Sequence, residues 1–269
     1  MTDPMRPAPA TVLVERDDGV VRILLNRPAH GNAVNRAMAA RLSDVLDQVR
    51  ADDTVSAVIL GGAGDRFFCT GGDVKEYGTL SPEELGDQFA RMRAVCSMIE
   101  ALPVPVVAAI DGPAVGGGLE LALACDIRIA SGRAWCQLPN VRLGVVTAWD
   151  GGRRLAELVG TSRAREMVFS GRRVTAAEAL AIGLVTSVAQ SARDAAGEFA
   201  ATVARAPVAA VRRVKEVVRS RCHGHDCPAA GAGGAADAVL DLWFSVGTIR
   251  QPAGVPAAEG GEGHARTAE

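Results

Sequence analysis

One acidic residue lies in an apolar run that follows three consecutive glycines. The segment AVGGGLELALACD, residues 114–126, holds this acid as Glu120, three residues after Gly117. Glycines lack a Cβ, so they let a strand turn sharply into a helix and bring backbone N–H groups close to a bound molecule. The helix that follows adds the positive end of its dipole at the same place. The segment therefore predicts a site for an anion or a developing oxyanion.

Glu120 has two interpretations. Acids in the first turn of a helix are favoured by the helix dipole, so a structural role is the ordinary explanation. The residues around Glu120 are nearly all Leu or Ala, however, which predicts a buried helix and a carboxylate in dry surroundings. A buried, unpaired acid beside free N–H donors is typical of a functional site. Glu120 is therefore a candidate acid/base.

A second glycine-rich stretch has related chemistry. Residues 61–77 read GGAGDRFFCTGGDVKEY, in which Gly71 and Gly72 follow an aromatic segment. Neither this stretch nor residues 114–126 fits GxGxxG between a strand and a helix, or the phosphate loop GxxxxGK[ST]. Dinucleotide binding and phosphate-loop chemistry therefore have little support.

A compact run of possible metal ligands lies near the C-terminus. Residues 222–227 read CHGHDC. Zinc sites with these ligands usually draw two pairs from separated segments, so we interpret the run as surface thiols and imidazoles and predict no metal.

The elements that must position these residues alternate along the first 150 residues. Residues 11–26 alternate apolar and polar residues around Asp17-Asp18-Gly19, which predicts a β-hairpin. Apolar, strand-like runs then alternate with helical spacing and a Ser81…Glu84 capping box, which predicts an α/β domain with parallel strands. The further predicted strands are residues 55–62, 104–113 and 127–136, and the predicted helices are residues 35–53, 81–102 and 116–126.

Helical patterns replace strands after about residue 150. The pattern predicts helices within residues 151–160, 162–171, 175–185, 192–205 and 207–221, with a capping box at Thr175…Glu178. We interpret the basic run VRRVKEVVRSR, residues 211–221, as the solvated face of an amphipathic helix.

The bulk composition restricts the class of partner. The chain has 269 residues, of which 48% are hydrophobic, and its net charge is −2 with both signs interspersed. This charge distribution predicts neither nucleic-acid nor membrane-surface binding. No secretory signal opens the sequence, and no apolar run approaches the roughly 20 residues that span a bilayer. We expect a soluble cytoplasmic protein with reduced cysteines and a small-molecule partner.

Four motifs in order make the chain resemble the enoyl-CoA hydratase/isomerase, or crotonase, superfamily. They lie at residues 25–38 (LNRPAHGNAVNRAM), 62–77, 105–130 and 143–185. The resemblance covers roughly residues 11–220. It implies an α/β fold that is a crotonase-like spiral of ββα repeats with a C-terminal α-helical trimerisation lobe, a homotrimer or homohexamer, and an acyl-CoA thioester as substrate.

The resemblance also implies domain bounds. We expect a crotonase-like ββα core over residues 11–200 and a C-terminal helical lobe over residues 201–250. Residues 1–10 and 251–269 have the small and polar composition of disordered tails.

Carried over residue by residue, the family's oxyanion hole falls on the backbone N–H groups of Gly72 and Gly117. One catalytic acid falls on Glu120. Two N–H donors on a thioester oxygen stabilise the enolate that forms when a proton leaves the α or γ carbon, or when a nucleophile adds to the β carbon. The resemblance thus implies chemistry through an enolate.

The resemblance implies further contacts to coenzyme A. The loop of residues 64–76 is expected to line the path of its pantetheine and adenine, with Asp73, Val74 and Lys75 as binding residues. Gly116 is expected to bind the substrate as well. Coenzyme A is here part of the substrate, and no separate cofactor is predicted.

The chain departs from the family's pattern at the second acid. Hydratases of the family place a second glutamate just after a proline, and here the segment CQLPNVRLG has Asn140. An amide can orient a water but cannot accept its proton. In the segment TAWDGG, Asp150 is either a replacement acid or the N-cap of the next helix, and Trp149 is a candidate wall of the acyl pocket.

We interpret the chain as an acyl-CoA enzyme of the enoyl-CoA hydratase/isomerase type, a lyase or an isomerase, with Glu120 as its acid/base. Isomerisation, decarboxylation or hydrolysis of a specialised acyl-CoA stay open alternatives because of Asn140. An alternative of another class is a non-catalytic acyl-CoA-binding scaffold. The intact Glu120 argues against it, since a pure binder gains nothing from a desolvated carboxylate.

Overall fold

The computed structural model describes residues 10–219, in which strands and helices alternate. The strands are β1 (Val12–Asp17), β2 (Val20–Leu25), β3 (Ala57–Gly62), β4 (Val106–Ile110), β5 (Ala114–Val115), β6 (Ile127–Ser131), β7 (Trp135–Gln137), β8 (Val174–Thr175) and β9 (Ser187–Ala189). The helices are α1 (Arg36–Ala51), α2 (Val74–Tyr77), α3 (Pro82–Ala101), α4 (Gly117–Ala124), α5 (Gly151–Val159), α6 (Thr161–Ser170), α7 (Ala176–Ala181), α8 (Ala192–Ala204) and α9 (Val208–Arg219). Two 3₁₀ turns span Pro28–His30 and Asn140–Leu143. The predicted α/β class is confirmed.

Two sheets organise these elements. The larger sheet has the order β1-β2-β3-β4-β6-β9, and a smaller sheet has the order β5-β7-β8. In the larger sheet only the β1–β2 pair is antiparallel. Its turn places Asp18 and Gly19 at φ 42° and 76°, the left-handed backbone that two-residue hairpin turns require. The predicted hairpin is therefore confirmed.

The larger sheet is covered on both faces. All residues of β3 are buried, as expected for a parallel strand with helices on each side. Val58 and Leu60 face the main core, which also contains apolar residues of α1, α3 and α4. Ala57 and Ile59 point to the other face, against small residues of α8. The predicted core boundary at residue 200 falls within α8, and most of the predicted lobe lies outside the described residues.

One strand prediction is wrong in detail. Residues 127–136 form two strands, β6 and β7, that belong to different sheets. The N–H of Ala134 donates to the carbonyl of Ser131 at 3.0 Å and closes a turn between them. The Ser131 hydroxyl donates to the carbonyl of Asp111 at 2.9 Å, which fixes the end of β6. The chain then enters the smaller sheet, beside the segment that leads into α4.

The capping predictions are confirmed in different degrees. Ser81 and Glu84 form the full reciprocal capping box at the start of α3. The hydroxyl of Thr175 accepts from the N–H of Glu178, but the Glu178 carboxylate binds Arg172 at 2.6 Å instead of completing the box. A nearby guanidinium therefore takes the place of the backbone partner.

The basic run in α9 is not wholly solvated, which corrects the interpretation made from its sequence. Lys215 is only 9% exposed. Its Nζ donates to the carbonyl of Val104 at 2.8 Å and to Asp126 Oδ2 at 2.6 Å. This lysine fastens α9 to the segment before β4, because a buried ammonium must find partners.

Two features are absent from residues 10–219. Between residues 10 and 219, no helix is long and apolar enough to cross a bilayer. Over the same residues, no three His, Cys, Asp or Glu side chains gather closely enough to hold a metal ion. The run CHGHDC at residues 222–227 lies outside this range, so its interpretation stays a prediction.

Candidate active site

Two glycine-containing segments run side by side at the N-terminus of α4. A parallel β-bridge joins Cys69 to Ala114, so the segment that continues to Gly72 runs beside the segment that leads to Gly117. The approach is close, because a Cβ on Gly71 would lie 3.0 Å from the Gly117 nitrogen. The two glycines that the resemblance assigned to an oxyanion hole therefore lie on neighbouring segments.

The N–H groups of these two glycines are unpartnered. Within residues 10–219, neither the Gly72 nor the Gly117 N–H donates a hydrogen bond. Their neighbours are occupied: the Gly116 N–H donates to the carbonyl of Gln137, and the Asp73 N–H donates to the carbonyl of Val34, both at 2.9 Å. Two free donors beside a helix N-terminus suit an oxygen that gains negative charge. The Gly116 N–H is not such a donor.

A different constraint favours glycine at each position of the triplet. Gly116 adopts φ 54°, in the left-handed region. A Cβ on Gly117 would overlap the Trp149 ring, and a Cβ on Gly118 would overlap the carbonyl oxygen of Cys69. Close packing therefore excludes side chains at Gly117 and Gly118, whereas the backbone angle favours glycine at Gly116. The Trp149 ring lies directly against Gly117.

The other donor is flanked by a second aromatic ring. A Cβ on Gly72 would overlap the ring of Tyr77. The Tyr77 hydroxyl donates to the carbonyl of Val34 at 3.2 Å and accepts from Gln88 at the same distance. Burial raises the pKa of Tyr77 to about 12, so its hydroxyl stays neutral. This ring holds the Gly72 segment in place.

A buried asparagine positions the loop that carries Gly72. Asn32 is fully buried at φ 56°. Its Nδ2 lies 3.1 Å from the carbonyl oxygen of Ala63 and 3.0 Å from that of Phe67. No sequence pattern selected Asn32, since the carbonyls that its Nδ2 binds lie more than 30 positions away.

Glu120 is buried one turn into α4. Its side chain is 1% exposed. Oε2 accepts hydrogen bonds from the N–H groups of Trp149 and Gly151, both at 2.8 Å. Burial raises the pKa of Glu120, and these N–H groups together with the charge of Arg154 oppose that rise. The result is a carboxyl group held in one orientation and made a stronger base than an exposed glutamate.

The turn between Trp149 and Gly151 has a special backbone. Asp150 adopts φ 68°, ψ 20°, and a Cβ on Gly151 would overlap the Glu120 side chain. Asp150 occupies the N-cap position of α5, as one interpretation predicted, but its side chain makes no capping bond. Its carboxylate instead accepts from Arg153 Nε at 2.7 Å. A role as replacement acid stays a prediction.

Asn140 carries a buried acceptor without a partner. It begins the second 3₁₀ turn, and its Nδ2 donates to the carbonyl of Val146 at 3.0 Å. Its Oδ1 is buried and has no hydrogen-bond partner within residues 10–219. Such an orphan acceptor can take a hydrogen bond from a water or from a substrate hydroxyl.

The three residues expected to bind coenzyme A differ in whether their side chains are exposed or already bound within the protein. Asp73 forms an ion pair with Arg27 at 2.8 Å and accepts from the N–H of Glu76 at the start of α2. Burial works against its charge, but these partners outweigh it and lower the pKa of Asp73. Val74 is 72% exposed and Lys75 is also exposed. The two exposed residues are free to meet a ligand, whereas Asp73 serves the loop itself.

Taken together, the two unpaired donors and the buried acid form an arrangement that suits a carbonyl group whose oxygen becomes negative. Residues 15–232 match the family model described as enoyl-CoA hydratase/isomerase, and the chain belongs to this family. The resemblance seen in the four motifs is thereby confirmed.

Curated relatives point the same way. The chain is 38% identical over 202 residues to the putative enoyl-CoA hydratase/isomerase YngF of Bacillus subtilis, covering 74% of this chain and 78% of that protein. It is also 38% identical over 195 residues to the human mitochondrial methylglutaconyl-CoA hydratase, covering 72% of this chain. The match spans only 58% of that human protein's length.

Solved structures agree in fold. The enoyl-CoA hydratase of Bacillus anthracis superposes with a TM-score of 0.76 at 37% identity, covering 77% of this chain and 82% of that one. Pseudomonas aeruginosa DspI gives a TM-score of 0.82 at 30% identity, covering 91% and 100%. The expected crotonase-like fold class is confirmed.

Proposed function

We propose that this protein is an acyl-CoA enzyme in which Glu120 moves a proton at a carbon next to the thioester, through an enolate. One observation carries the proposal: the unpartnered N–H groups of Gly72 and Gly117 lie beside a buried, oriented carboxylate. A structural acid would need no free donors nearby. A binding scaffold would gain nothing from the cost of burying Glu120.

The chemistry follows from these groups. A thioester oxygen between the two N–H donors makes the α proton more acidic, because negative charge in the enolate collects on that oxygen. The ionised Glu120 takes the proton, and burial raises its pKa toward the working pH, which strengthens it as a base. The same carboxylic acid then returns the proton to the α or the γ carbon. When the proton leaves the α carbon and returns to the γ carbon, the double bond moves, and the product has the same atoms as the substrate.

We place isomerisation ahead of hydration as the net reaction. A single carboxylate can shuttle one proton between two carbons. Hydration is usually pictured with two carboxylates, and here Asn140 offers an amide while the Asp150 carboxylate is bound to Arg153. The buried Oδ1 of Asn140 supports a role in holding a water or a polar substrate group.

The proposed function can be tested with proton exchange in deuterium oxide. The probes are butyryl-CoA, 3-butenoyl-CoA, 2-butenoyl-CoA and, because of the human relative's name, methylglutaconyl-CoA. Glu120→Gln should lower exchange by about 10²- to 10⁴-fold, the usual contribution of a general base. Glu166→Gln, at an exposed ion pair with Arg172, serves as the matched control. Retained exchange in Glu120→Gln would remove Glu120 from the mechanism, and binding without exchange in the unaltered protein would mark a scaffold.

A second variant tests the type of reaction. Asn140→Glu supplies the carboxylate that the family's hydratases have, so hydration of 2-butenoyl-CoA should rise relative to isomerisation of 3-butenoyl-CoA. If the unaltered protein already hydrates faster than it isomerises, hydration is its function and one carboxylate suffices. Decarboxylation would appear as release of carbon dioxide from methylglutaconyl-CoA, the one probe that carries a free carboxylate, and hydrolysis would appear as release of free coenzyme A from any of the probes.

The oligomeric state is a separate expectation. We propose a homotrimer or homohexamer from the resemblance alone, and light scattering on the purified protein distinguishes these from a monomer.

A further inference from the structure

A buried arginine holds the turn that binds Glu120. Arg154 lies in the first half of α5, and its side chain is 4% exposed. Its Nη1 donates to the carbonyl of Trp149 at 2.9 Å. The N–H of that same tryptophan donates to Glu120 Oε2 at 2.8 Å. One residue of backbone therefore lies between the guanidinium and the carboxylate.

The opposite edge of the guanidinium is anchored on α3. Nη2 and Nε of Arg154 donate to Glu100 Oε2 at 3.0 and 3.3 Å. Glu100 lies in the last turn of α3 and is 34% exposed. A planar guanidinium can make these contacts and the contact to Trp149 at once, which a lysine ammonium does less well. Arg154 thus ties α3 to the turn beside Glu120.

The turn needs such support because of its backbone. Asp150 adopts φ 68°, a left-handed conformation that residues with a Cβ keep only where the surroundings hold it. This conformation lets the N–H groups of both Trp149 and Gly151 point at one carboxylate oxygen. If the turn relaxed, at least one of the two donors would leave Glu120.

We propose that Arg154 is a positioning residue for proton transfer: it fixes the turn that orients Glu120, and its buried charge stabilises the ionised form of that carboxylate. The inference rests on the proposed function, in which Glu120 is the base. It adds a residue that touches no substrate and acts through Trp149.

The charged groups around Glu120 are few, which makes the charge effect of Arg154 testable. From α3, Cys96 and Glu100 face the region, and burial raises the pKa of Cys96 so that its thiol stays neutral. The charge of Arg154 favours the ionised form of Glu120. At the start of α5, Asp150 pairs with Arg153 at 2.7 Å and with Arg154 at 3.8 Å. Arg153 also pairs with Glu157 at 2.8 Å and with Glu100 at 3.8 Å. Strand β5 contributes only Ala114 and Val115, and α4 has no other titratable side chain.

The first experiment removes the buried charge. In Arg154→Met, the pKa of Glu120 should rise because a nearby cation is lost, so less of the base is ionised at a given pH. The acid limb of the pH profile for butyryl-CoA proton exchange should move to higher pH by about one unit. Arg154→Lys keeps the charge, so its acid limb should stay near that of the unaltered protein while kcat falls from looser geometry.

The second experiment strengthens the effect of the Arg154 charge on the pH profile instead of removing it. Glu100→Gln removes the nearer anionic partner of Arg154 and leaves only Asp150, whose Oδ2 lies 3.8 Å from Nη1, so the positive field at Glu120 grows. The acid limb should then move to lower pH. A purely structural arginine predicts no shift in either variant, and certainly not shifts of opposite sign.

Arg128→Met is the matched control, because Arg128 is also buried, at 5% exposure, and also binds backbone carbonyls. It should lose stability without moving the acid limb. A ¹³C-carboxyl NMR titration of Glu120 reads the same shifts without any turnover, and Glu100→Gln keeps the proposal testable should Arg154→Met fail to fold. Unchanged Glu120 titration in Arg154→Met and Glu100→Gln, with no fall in kcat for Arg154→Lys, would overturn the inference. Exchange retained in Glu120→Gln would instead overturn the proposed function.

Discussion

The two ends of α4 differ in whether their backbone polar groups are paired. At the C-terminal end, Arg128 closes the helix: its Nη1 donates to the carbonyl of Cys125 at 2.7 Å and its Nε donates to the carbonyl of Leu184 at 2.8 Å. This places a cation at the negative end of the helix dipole. At the N-terminal end, the Gly117 N–H and the neighbouring Gly72 N–H have no partner within residues 10–219.

The difference supports the proposal that a ligand binds at the N-terminal end of α4. An unpaired polar group in a buried place costs about 1–3 kcal/mol, so folded chains normally satisfy it. Here a carbonyl at the C-terminal end is paired with a buried arginine, whereas the N–H groups of the half-buried Gly72 and Gly117 have no partner within residues 10–219. The carboxylate that could have capped the open end, Glu120, is turned instead toward the N–H groups of Trp149 and Gly151. The open donors are therefore free for a substrate oxygen.

Among variants at the two ends of α4, the largest effect is expected from displacing the N–H donor of Gly117. In Gly117→Ala, the new methyl group would overlap the Trp149 ring and displace the N–H donor. We expect a loss of about 10²- to 10³-fold in kcat/KM, the usual effect of losing one oxyanion donor. Gly132→Ala is the control, because a Cβ there would meet nothing within 4 Å. Full activity in a folded Gly117→Ala protein would mean that this donor has no part in the reaction.

The next largest effect is expected from removing the arginine that binds the C-terminal end of α4. Arg128→Met leaves buried carbonyls at the end of α4 unpaired, so the free energy of unfolding should fall by about 2 kcal/mol. Urea denaturation measures this loss. Exchange per folded molecule should stay close to that of the unaltered protein. A loss of activity without a loss of stability would show that the two ends are not separate in function.

A smaller effect concerns stability and pH. Burial raises the pKa of Glu120 in the folded state, so the folded protein prefers the protonated form. Its stability contribution is present at low pH and is lost as the pH rises through that raised pKa. Glu120→Gln lacks this loss, so its Tm relative to the unaltered protein should be higher at pH 8 than at pH 5. A difference that is the same at both values would argue that the carboxyl group is not strained by burial.

The smallest effect is expected at Asp150. Its carboxylate is bound to Arg153 in a partly exposed pair, and such pairs contribute about 0–1 kcal/mol. Asparagine tolerates the left-handed backbone, so Asp150→Asn should keep the turn and change kcat/KM by less than about fivefold. A hundredfold loss would instead identify Asp150 as a second acid and favour hydration.

Local patterns predicted much of the molecule. The hairpin around Gly19 and the capping box at Ser81 each depend on residues that are close together in the sequence, and both are present. The burial of Glu120 followed from the apolar residues on all sides of it, and it too is observed. Contacts within about four positions of each other are fixed by turn and helix geometry, which a sequence pattern can express.

Long-range contacts could not be predicted in this way. Trp149 binds Glu120 across 29 positions, and Lys215 binds Asp126 across 89. Arg154 gave only a weak signal, a charged residue on the face of α5 that also carries buried Gly151 and Leu155. These partners depend on how separate elements pack, and no periodicity in one segment specifies the segment it meets.

The central claim is that two N–H groups, from Gly72 and Gly117, hold the thioester oxygen. Difference infrared spectroscopy of bound butyryl-CoA, labelled with ¹³C at the thioester carbonyl, measures this directly. The account predicts a carbonyl stretch at lower frequency than for the free thioester in water, and a return toward the free value in Gly117→Ala. A bound stretch at or above the free value in the unaltered protein would contradict it.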